Sequence, residues 1–205
     1  MQTNFMTSRT KENLMRAFAG ESQARNRYIF AAQTAYEQNL YVLSEIFKFT
    51  ASQEEQHAKI FFNLLKDAAG KNIEISAGYP ADVYSELQQL LDSSVHNEGE
   101  EFEVIYPDFA KIASEEGFRQ VESKFRMIAE IERSHQQRFD YYGRLLRENK
   151  LFRSDKTERW LCLNCGHIHE ASEAPLVCPV CGARQGYFIR EAEAPFTSGG
   201  ILCQE

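Results

Sequence analysis

Glu132 and His135 stand in the middle of a run that should be apolar throughout. Phe118, Val121, Phe125, Ile128, Glu132, His135, Phe139, Tyr142 and Leu146 recur at steps of three and four, which is one stripe of a long helix. Moving a carboxylate from water into such a stripe costs on the order of several kcal/mol unless a proton or a counter-charge goes with it. A divalent metal supplies that charge, and Glu-x-x-His presents both side chains to it from one helical face. The same spacing returns at Glu54 and His57, within the stripe Leu43, Ile46, Phe47, Thr50, Ile60, Phe61 and Leu64. Two further stripes are interrupted by acid: Glu21 lies between Leu14, Phe18 and Ala24, Tyr28, Ala31, Ala35, and Glu98 and Glu101 lie among Leu87, Leu91, Val95, Phe102, Ile105, Phe109 and Ile112. A single Glu-x-x-His in a Glu-rich helix is ordinarily a solvated face. Two of them in register with apolar stripes, each preceded by another inward glutamate, point to metal.

A second set of ligands lies near the C-terminus. Cys162-Leu163-Asn164-Cys165-Gly166 and Cys178-Pro179-Val180-Cys181-Gly182 are Cys-x-x-Cys-Gly knuckles separated by twelve residues. The glycine after each pair can take a left-handed conformation that aims backbone N–H groups at the sulfurs. Four thiolates in a tetrahedron suit zinc or a single iron, and the spacing does not choose between them. His96, His167 and His169 are assigned no ligand role: the first lies off its stripe and the others sit between the knuckles.

These side chains need long helices to bring them together. After possible caps at Thr7, Ser8 and Thr10, a first helix carries Glu21; a turn near Asn39 leads to a second, ending before Gly70. The segment from Gly70 to Pro80 is too long for a hairpin and should cross the bundle, with a third helix beginning just beyond Pro80. Pro107 should kink that helix and free the carbonyl of Glu103. Ser114, with Glu115 and Glu116 behind it, reads as the N-cap and acidic first turn of a fourth helix running to about Asn149. Glu21 precedes Glu54 by 33 positions and Glu98 precedes Glu132 by 34, so two helical hairpins carry the same ligand set. Facing one another, they form a four-helix bundle with one long crossover around a two-metal site. Arg153-Ser154-Asp155-Lys156 is then a polar linker or strand lead-in to a small metal-stapled unit.

Composition narrows the class. The formal charge of −7 and the lack of any basic run argue against nucleic acid as a partner. The first thirty residues hold no apolar segment long enough for a signal peptide or a membrane helix, which places the chain in the cytoplasm. There the five cysteines are metal ligands or free thiols, and Cys203, outside the knuckle pattern, reads as a free thiol on a mobile end.

The chain resembles the rubrerythrin family over nearly its whole length. The resemblance is carried by Gly20-Glu21-Ser22-Gln23-Ala24-Arg25-Asn26-Arg27-Tyr28, Glu54-Glu55-Gln56-His57-Ala58, Glu98 with Glu101 ahead of Tyr106-Pro107, Glu132-Arg133-Ser134-His135, and the two knuckles in that order. It implies a mainly α chain: a ferritin-like four-helix bundle over residues 1–150, then a rubredoxin-like β/loop domain over 151–205 with a flexible tail. The twelve-residue spacer is shorter than in free rubredoxins and agrees with the truncated module of rubrerythrins. Carried over by position, Glu21, Glu54, His57, Glu98, Glu101, Glu132 and His135 would be the di-iron ligands, Glu54 and Glu132 bridging, with one iron moving between Glu101 and His57 as its redox state changes. Tyr28 and Tyr106 would donate hydrogen bonds to them. Cys162, Cys165, Cys178 and Cys181 would hold a single iron, which zinc can replace.

The implied activity is a non-haem di-iron peroxidase reducing hydrogen peroxide to water in oxidative-stress defence. Electrons would pass through the cysteine-bound iron from a rubredoxin or an NAD(P)H-dependent reductase, in a head-to-tail homodimer or higher oligomer. A ferroxidase or iron-handling protein of the ferritin-like class and a zinc-ribbon interaction protein on a structural bundle are the other readings.

Overall fold

A computed structural model describes residues 3–195; Cys203 and the tail around it lie outside the described residues. Four long helical stretches and a short three-stranded sheet make up the chain. Helix α1 (Arg9–Glu37) begins at Ser8, whose Oγ accepts from the backbone N–H of Lys11 at 3.1 Å. Asn39, at φ 61°, turns the chain into α2 (Tyr41–Leu64). The third stretch is α3 (Leu87–Glu100), a π-helical turn (Glu101–Ile105) and α4 (Tyr106–Glu115). Helix α5 (Arg119–Arg147) closes the bundle.

Three details differ from the sequence reading. The third helix starts at Leu87, well past Pro80. Residues 76–85 instead run extended along α1, and their carbonyls are taken by side chains of α1 and of Gln38, which caps its C-terminus: Arg16 Nε donates to Ser76 O at 3.1 Å, Gln23 Nε2 to Pro80 O at 2.8 Å and Gln38 Nε2 to Ser85 O at 3.1 Å. Asp82 is bound by Arg27 and Asn97 at 2.8 and 2.7 Å. Backbone committed in this way cannot coil.

Pro107 lies in the first turn of α4, where its missing N–H is tolerated, and the π-helical turn ahead of it takes the place of a simple kink. Ser114, finally, belongs to the end of α4 and caps nothing. Gly117, at φ 86°, ends that helix, and α5 starts from Phe118 without a side-chain cap. Glu116 reaches across to the first helix instead, accepting from the backbone N–H groups of Arg9 and Thr10 at 3.0 and 2.8 Å. An acidic side chain at a helix start is a cap signal, but local sequence does not say which helix it serves.

The bundle core is split by its own charged layer. At one end Leu14, Phe61, Tyr106, Phe125 and Ile128 pack together; at the other Ala24, Tyr28, Phe47, Leu91 and Phe139 do. On α1, α2 and α5 the acidic and histidine positions fall between the two clusters, as the interrupted stripes require.

After Asn149 (φ 55°) the chain enters β1 (Arg153–Cys162), which pairs antiparallel with both β2 (Ile168–Glu173) and β3 (Phe188–Arg190), giving the order β2-β1-β3. Trp160 is fully buried beneath the sheet and donates Nε1–H to Ala171 O at 3.0 Å. The sheet docks on the bundle end formed by the α1–α2 turn and α5. Tyr187 stacks on Tyr41 with centroids 3.9 Å apart, Arg184 donates to Asn39 Oδ1 at 2.9 Å, and Ile189 joins the core of the bundle.

Candidate metal centre

Helices α1, α2, α3 and α5 bring Glu21, Glu54, His57, Glu98, Glu132 and His135 into one layer, each at most 4 % exposed. Their ligand atoms fall into two groups that share Glu54 and Glu132: Glu21, Glu54, His57 and Glu132, then Glu54, Glu98, Glu132 and His135, each within 4.8 Å. His57 Nδ1 lies 2.9 Å from Glu132 Oε1, 3.1 Å from Glu54 Oε2 and 3.8 Å from Glu21 Oε2. His135 Nδ1 mirrors it, 2.7 Å from Glu132 Oε2, 2.9 Å from Glu54 Oε1 and 3.7 Å from Glu98 Oε2. Glu54 and Glu132 therefore turn one oxygen toward each half.

This arrangement fits a pair of cations. Glu21 Oε2, Glu54 Oε1, Glu98 Oε2, both oxygens of Glu132 and His135 Nδ1 are buried without a hydrogen-bond partner, which an apolar interior does not tolerate unless something else satisfies them. Ligand atoms about 3 Å apart match the edges of a coordination shell with bonds of about 2.1 Å. Four carboxylates are balanced by two divalent charges.

Without cations the charges compete. Burial, then the charge of Glu132, pushes Glu21 well above the ordinary carboxylate range, and burial with Glu54 raises Glu98 to about 8. Burial also acts to raise Glu54, but the imidazoles of His135 and His57 beside its oxygens outweigh it and hold that carboxyl at about 2. Burial opposes a charged His135, yet the carboxylates of Glu132 and Glu54 beside its Nδ1 lift it to about 12; burial likewise opposes a charged His57, which the carboxylates of Glu132 and Glu21 raise.

The predicted partners divide cleanly. The hydroxyls of Tyr28 and Tyr106, both buried, donate to Glu98 and Glu21 respectively. Glu101 belongs to neither ligand group. It sits half-buried on the π-helical turn and lines a cavity of about 290 Å³ with Arg16, Gly20, Tyr79, Asn97 and Tyr106. His96 lies at the surface 3.7 Å from Glu100, away from both groups. Two residues that periodicity does not single out also touch the layer: Gln53 Oε1 lies 3.1 Å from His135 Nε2 and accepts from Arg138 at 3.0 Å. Their signal in the sequence is a mismatch between the two halves of the repeat.

In the sheet unit, Cys162, Cys165, Cys178 and Cys181 converge within 4.8 Å. Cys162 Sγ and Cys181 Sγ are 3.8 Å apart, and Cys165 Sγ and Cys178 Sγ 3.7 Å, close to the edge of about 3.8 Å for a tetrahedron with bonds of about 2.3 Å. Gly166 and Gly182 take φ 78° and 75°, as the knuckles require. The side chain of Asn164 and the backbone N–H of Ala183 hold the Cys181 thiol down at about 6, whereas burial pushes Cys162 up to about 12.

Known proteins resemble the chain over both units. A sequence model of the rubrerythrin family matches residues 12–142, and one of the rubrerythrin rubredoxin-like domain matches residues 160–189. A rubrerythrin of Clostridium perfringens is 43 % identical over 182 residues, covering 88 % of this chain and 93 % of that one. One from Nitratidesulfovibrio vulgaris is 39 % identical over 181 residues, with the same coverage. Among solved structures, nigerythrin in a mixed-valence state aligns over 92 % of both chains at 25 % identity and a TM-score of 0.60. A Desulfovibrio desulfuricans bacterioferritin shares the fold, with a TM-score of 0.62 over 69 % of this chain and 81 % of its own.

Proposed function

The chain belongs to the rubrerythrin family, and from that premise we propose that it is a peroxidase that reduces hydrogen peroxide to water. The observation that carries the reading is the pair of ligand groups with unpartnered oxygens, flanked by two tyrosine donors and joined in one chain to a four-cysteine site. In this reading Glu21, Glu54, His57, Glu98, Glu132 and His135 would hold two irons, Glu54 and Glu132 being common to both ligand groups, and Glu101 would be a further ligand. Residues 1–150 form the peroxide-reducing unit, and residues 151–205, through Cys162, Cys165, Cys178 and Cys181, form the relay.

When bound, the iron pair supplies the two electrons that break the O–O bond. The remaining demand, two protons for two waters, falls on the protein. Tyr28 and Tyr106 hold protons against Glu98 and Glu21, and the phenylalanine-rich clusters on either side of the layer keep bulk water out. The cavity beside Glu101 is the approach for a molecule as small as peroxide.

The sheet contacts the bundle at Asn39, fifteen residues before Glu54. The cysteine site lies in the sheet unit, outside the layer that holds the carboxylates. In this reading the chain works as a head-to-tail homodimer, in which one chain's cysteine site serves the other's bundle, fed by a rubredoxin or an NAD(P)H-dependent reductase in the cytoplasm. No helix among the described residues is long and apolar enough to cross a membrane.

The test is to purify the protein from iron-supplied cells, count iron and zinc, and follow the colour of the cysteine-bound iron as reduced protein meets peroxide. About three irons per chain and rapid return of colour is the expected result. Fast oxidation by oxygen with sluggish oxidation by peroxide would overturn the assignment.

A further inference from the structure

The two histidines of the layer are held differently. His135 turns Nδ1 into the ligand ring and Nε2 outward, 3.1 Å from Gln53 Oε1. The same oxygen accepts from Arg138 Nη1 at 3.0 Å. That guanidinium also donates to Thr50 Oγ1 at 2.9 Å, and its Cζ lies 5.0 Å from the ring centroid of Phe49. A guanidinium has only protons to offer, so the Gln53 atom facing it is the acceptor. The ring nitrogen facing that oxygen must then carry the proton of His135, which leaves the Nδ1 lone pair for a cation.

The internal repeat puts a different set of side chains around His57. Aligning Glu54-x-x-His57 with Glu132-x-x-His135 pairs Gln53 with Ile131, Thr50 with Ile128 and Arg138 with Ile60. Each polar member of the clamp is an isoleucine in the other half, so none of those three positions offers His57 a hydrogen-bonding atom. The spare carboxylate is on the same side. Glu101 shares the π/α4 segment with Tyr106, whose hydroxyl bonds Glu21 of the His57 group.

We propose that Gln53 and Arg138 are positioning residues that lock His135 as a fixed Nδ1 ligand. The half of the site at His135 is thereby the rigid, tighter cation site, and the half at His57 takes up its cation without that support. The proposal rests on the two-metal reading and not on the oxidant. A polar pair that only stapled α2 to α5 would steady both halves alike; a clamp acting through one imidazole steadies one.

Zinc, which is redox-silent, tests this without any turnover. The metal-free bundle is titrated after the four-cysteine site has been filled, in the natural chain and in Gln53→Leu, Gln53→Glu and Arg138→Leu, with helix content checked by circular dichroism. Gln53→Leu removes the acceptor and should weaken one of the two zinc-binding steps by about 10–100-fold while leaving the other unchanged. Arg138→Leu should weaken the same step. Gln53→Glu keeps an oxygen for both partners and should bind as the natural chain does. In zinc-loaded protein with 15N-labelled histidine, the His135 Nε2–H signal should be slowly exchanging in the natural chain and in Gln53→Glu and lost in Gln53→Leu. Equal weakening of both steps, no weakening of either, or an unprotonated His135 Nε2 would overturn the clamp. A natural chain that took up no zinc pair would remove the two-metal reading and the clamp with it.

Discussion

Tyr106 donates its hydroxyl proton to the carboxylate of Glu21 from the opposite hairpin of the bundle. Tyr28 makes the reciprocal bond to Glu98, but the two pairs are not in the same register. Tyr28 lies seven residues after Glu21, which is two α-helical turns, whereas Tyr106 lies eight after Glu98. The extra residue is taken up by the π-helical turn Glu101–Ile105, which restores Tyr106 to the inner face and gives Glu101 its place at the edge.

Removing that hydroxyl separates its proton-holding role from packing. Tyr106→Phe keeps the ring against Phe61 and Phe125 and leaves a buried Glu21 oxygen without its donor. Helix content should be unchanged, the metal-free protein should lose about 1–3 kcal/mol, and peroxide consumption should fall about 10–100-fold. Thermal unfolding and peroxide turnover measure the two effects; an unchanged turnover would exclude the tyrosine from proton supply.

Metal-free and metal-loaded protein should respond to pH in opposite directions. Glu98, raised to about 8 from an ordinary 4.5, contributes stability fully present below 4.5 and lost as pH rises through 8. Metal-free protein should therefore melt at a lower temperature at pH 8 than at pH 5. The protons that burial retains must leave when cations bind, so zinc affinity should rise with pH, by about tenfold per unit for each proton displaced. Calorimetric titration across this range checks it, and a flat profile would contradict the reading.

Docking of the sheet depends on one close approach. A Cβ at Gly186 would lie 1.8 Å from the carbonyl oxygen of Asn39, in the α1–α2 turn. The atom it would meet is main chain and the Cβ is fixed to its own backbone, so Gly186→Ala should force the sheet off its seat at a cost of about 1–3 kcal/mol. Hydrogen exchange should quicken at residues 39–42 and 186–189 while the cysteine site still binds its metal. Unchanged protection there would show that the sheet tolerates the shift.

Glu116 offers a test far from the metals. Burial acts to raise its carboxyl, but bonds from the Thr10 hydroxyl and from the backbone of Thr10 and Arg9 hold it below 4.5. Such a group contributes stability above 4.5 that is lost as pH falls through its folded value. Glu116→Ala should therefore cost about 1 kcal/mol near neutrality, and the difference in urea midpoint should shrink in acid. A difference that persisted there would mean packing, not charge, is what the side chain supplies.

The ligand layer was legible because helical periodicity is a local property. Each stripe names its inward face, and a glutamate or histidine on that face declares itself against leucine and phenylalanine. The four-cysteine site was legible for the same reason: each knuckle is a short-range device, complete within five residues. Long-range pairings were not. Ser114, Glu115 and Glu116 carry the chemistry of a helix start, yet Glu116 serves α1, more than a hundred residues away in sequence. Residues 81–86 hold no helix because their partners lie on α1 and α3.

By itself the sequence determined the four stripes, the two ligand sets and the family to which they belong, since period and spacing act over a few turns of chain. Only the tertiary structure decided that Glu54 and Glu132 each face both histidines, that Glu101 stands aside on a π-helical turn, and that Gln53 and Arg138 close on His135 alone. Those are contacts between side chains on different helices, and their geometry is set by how the hairpins pack and not by any one helix's own pattern.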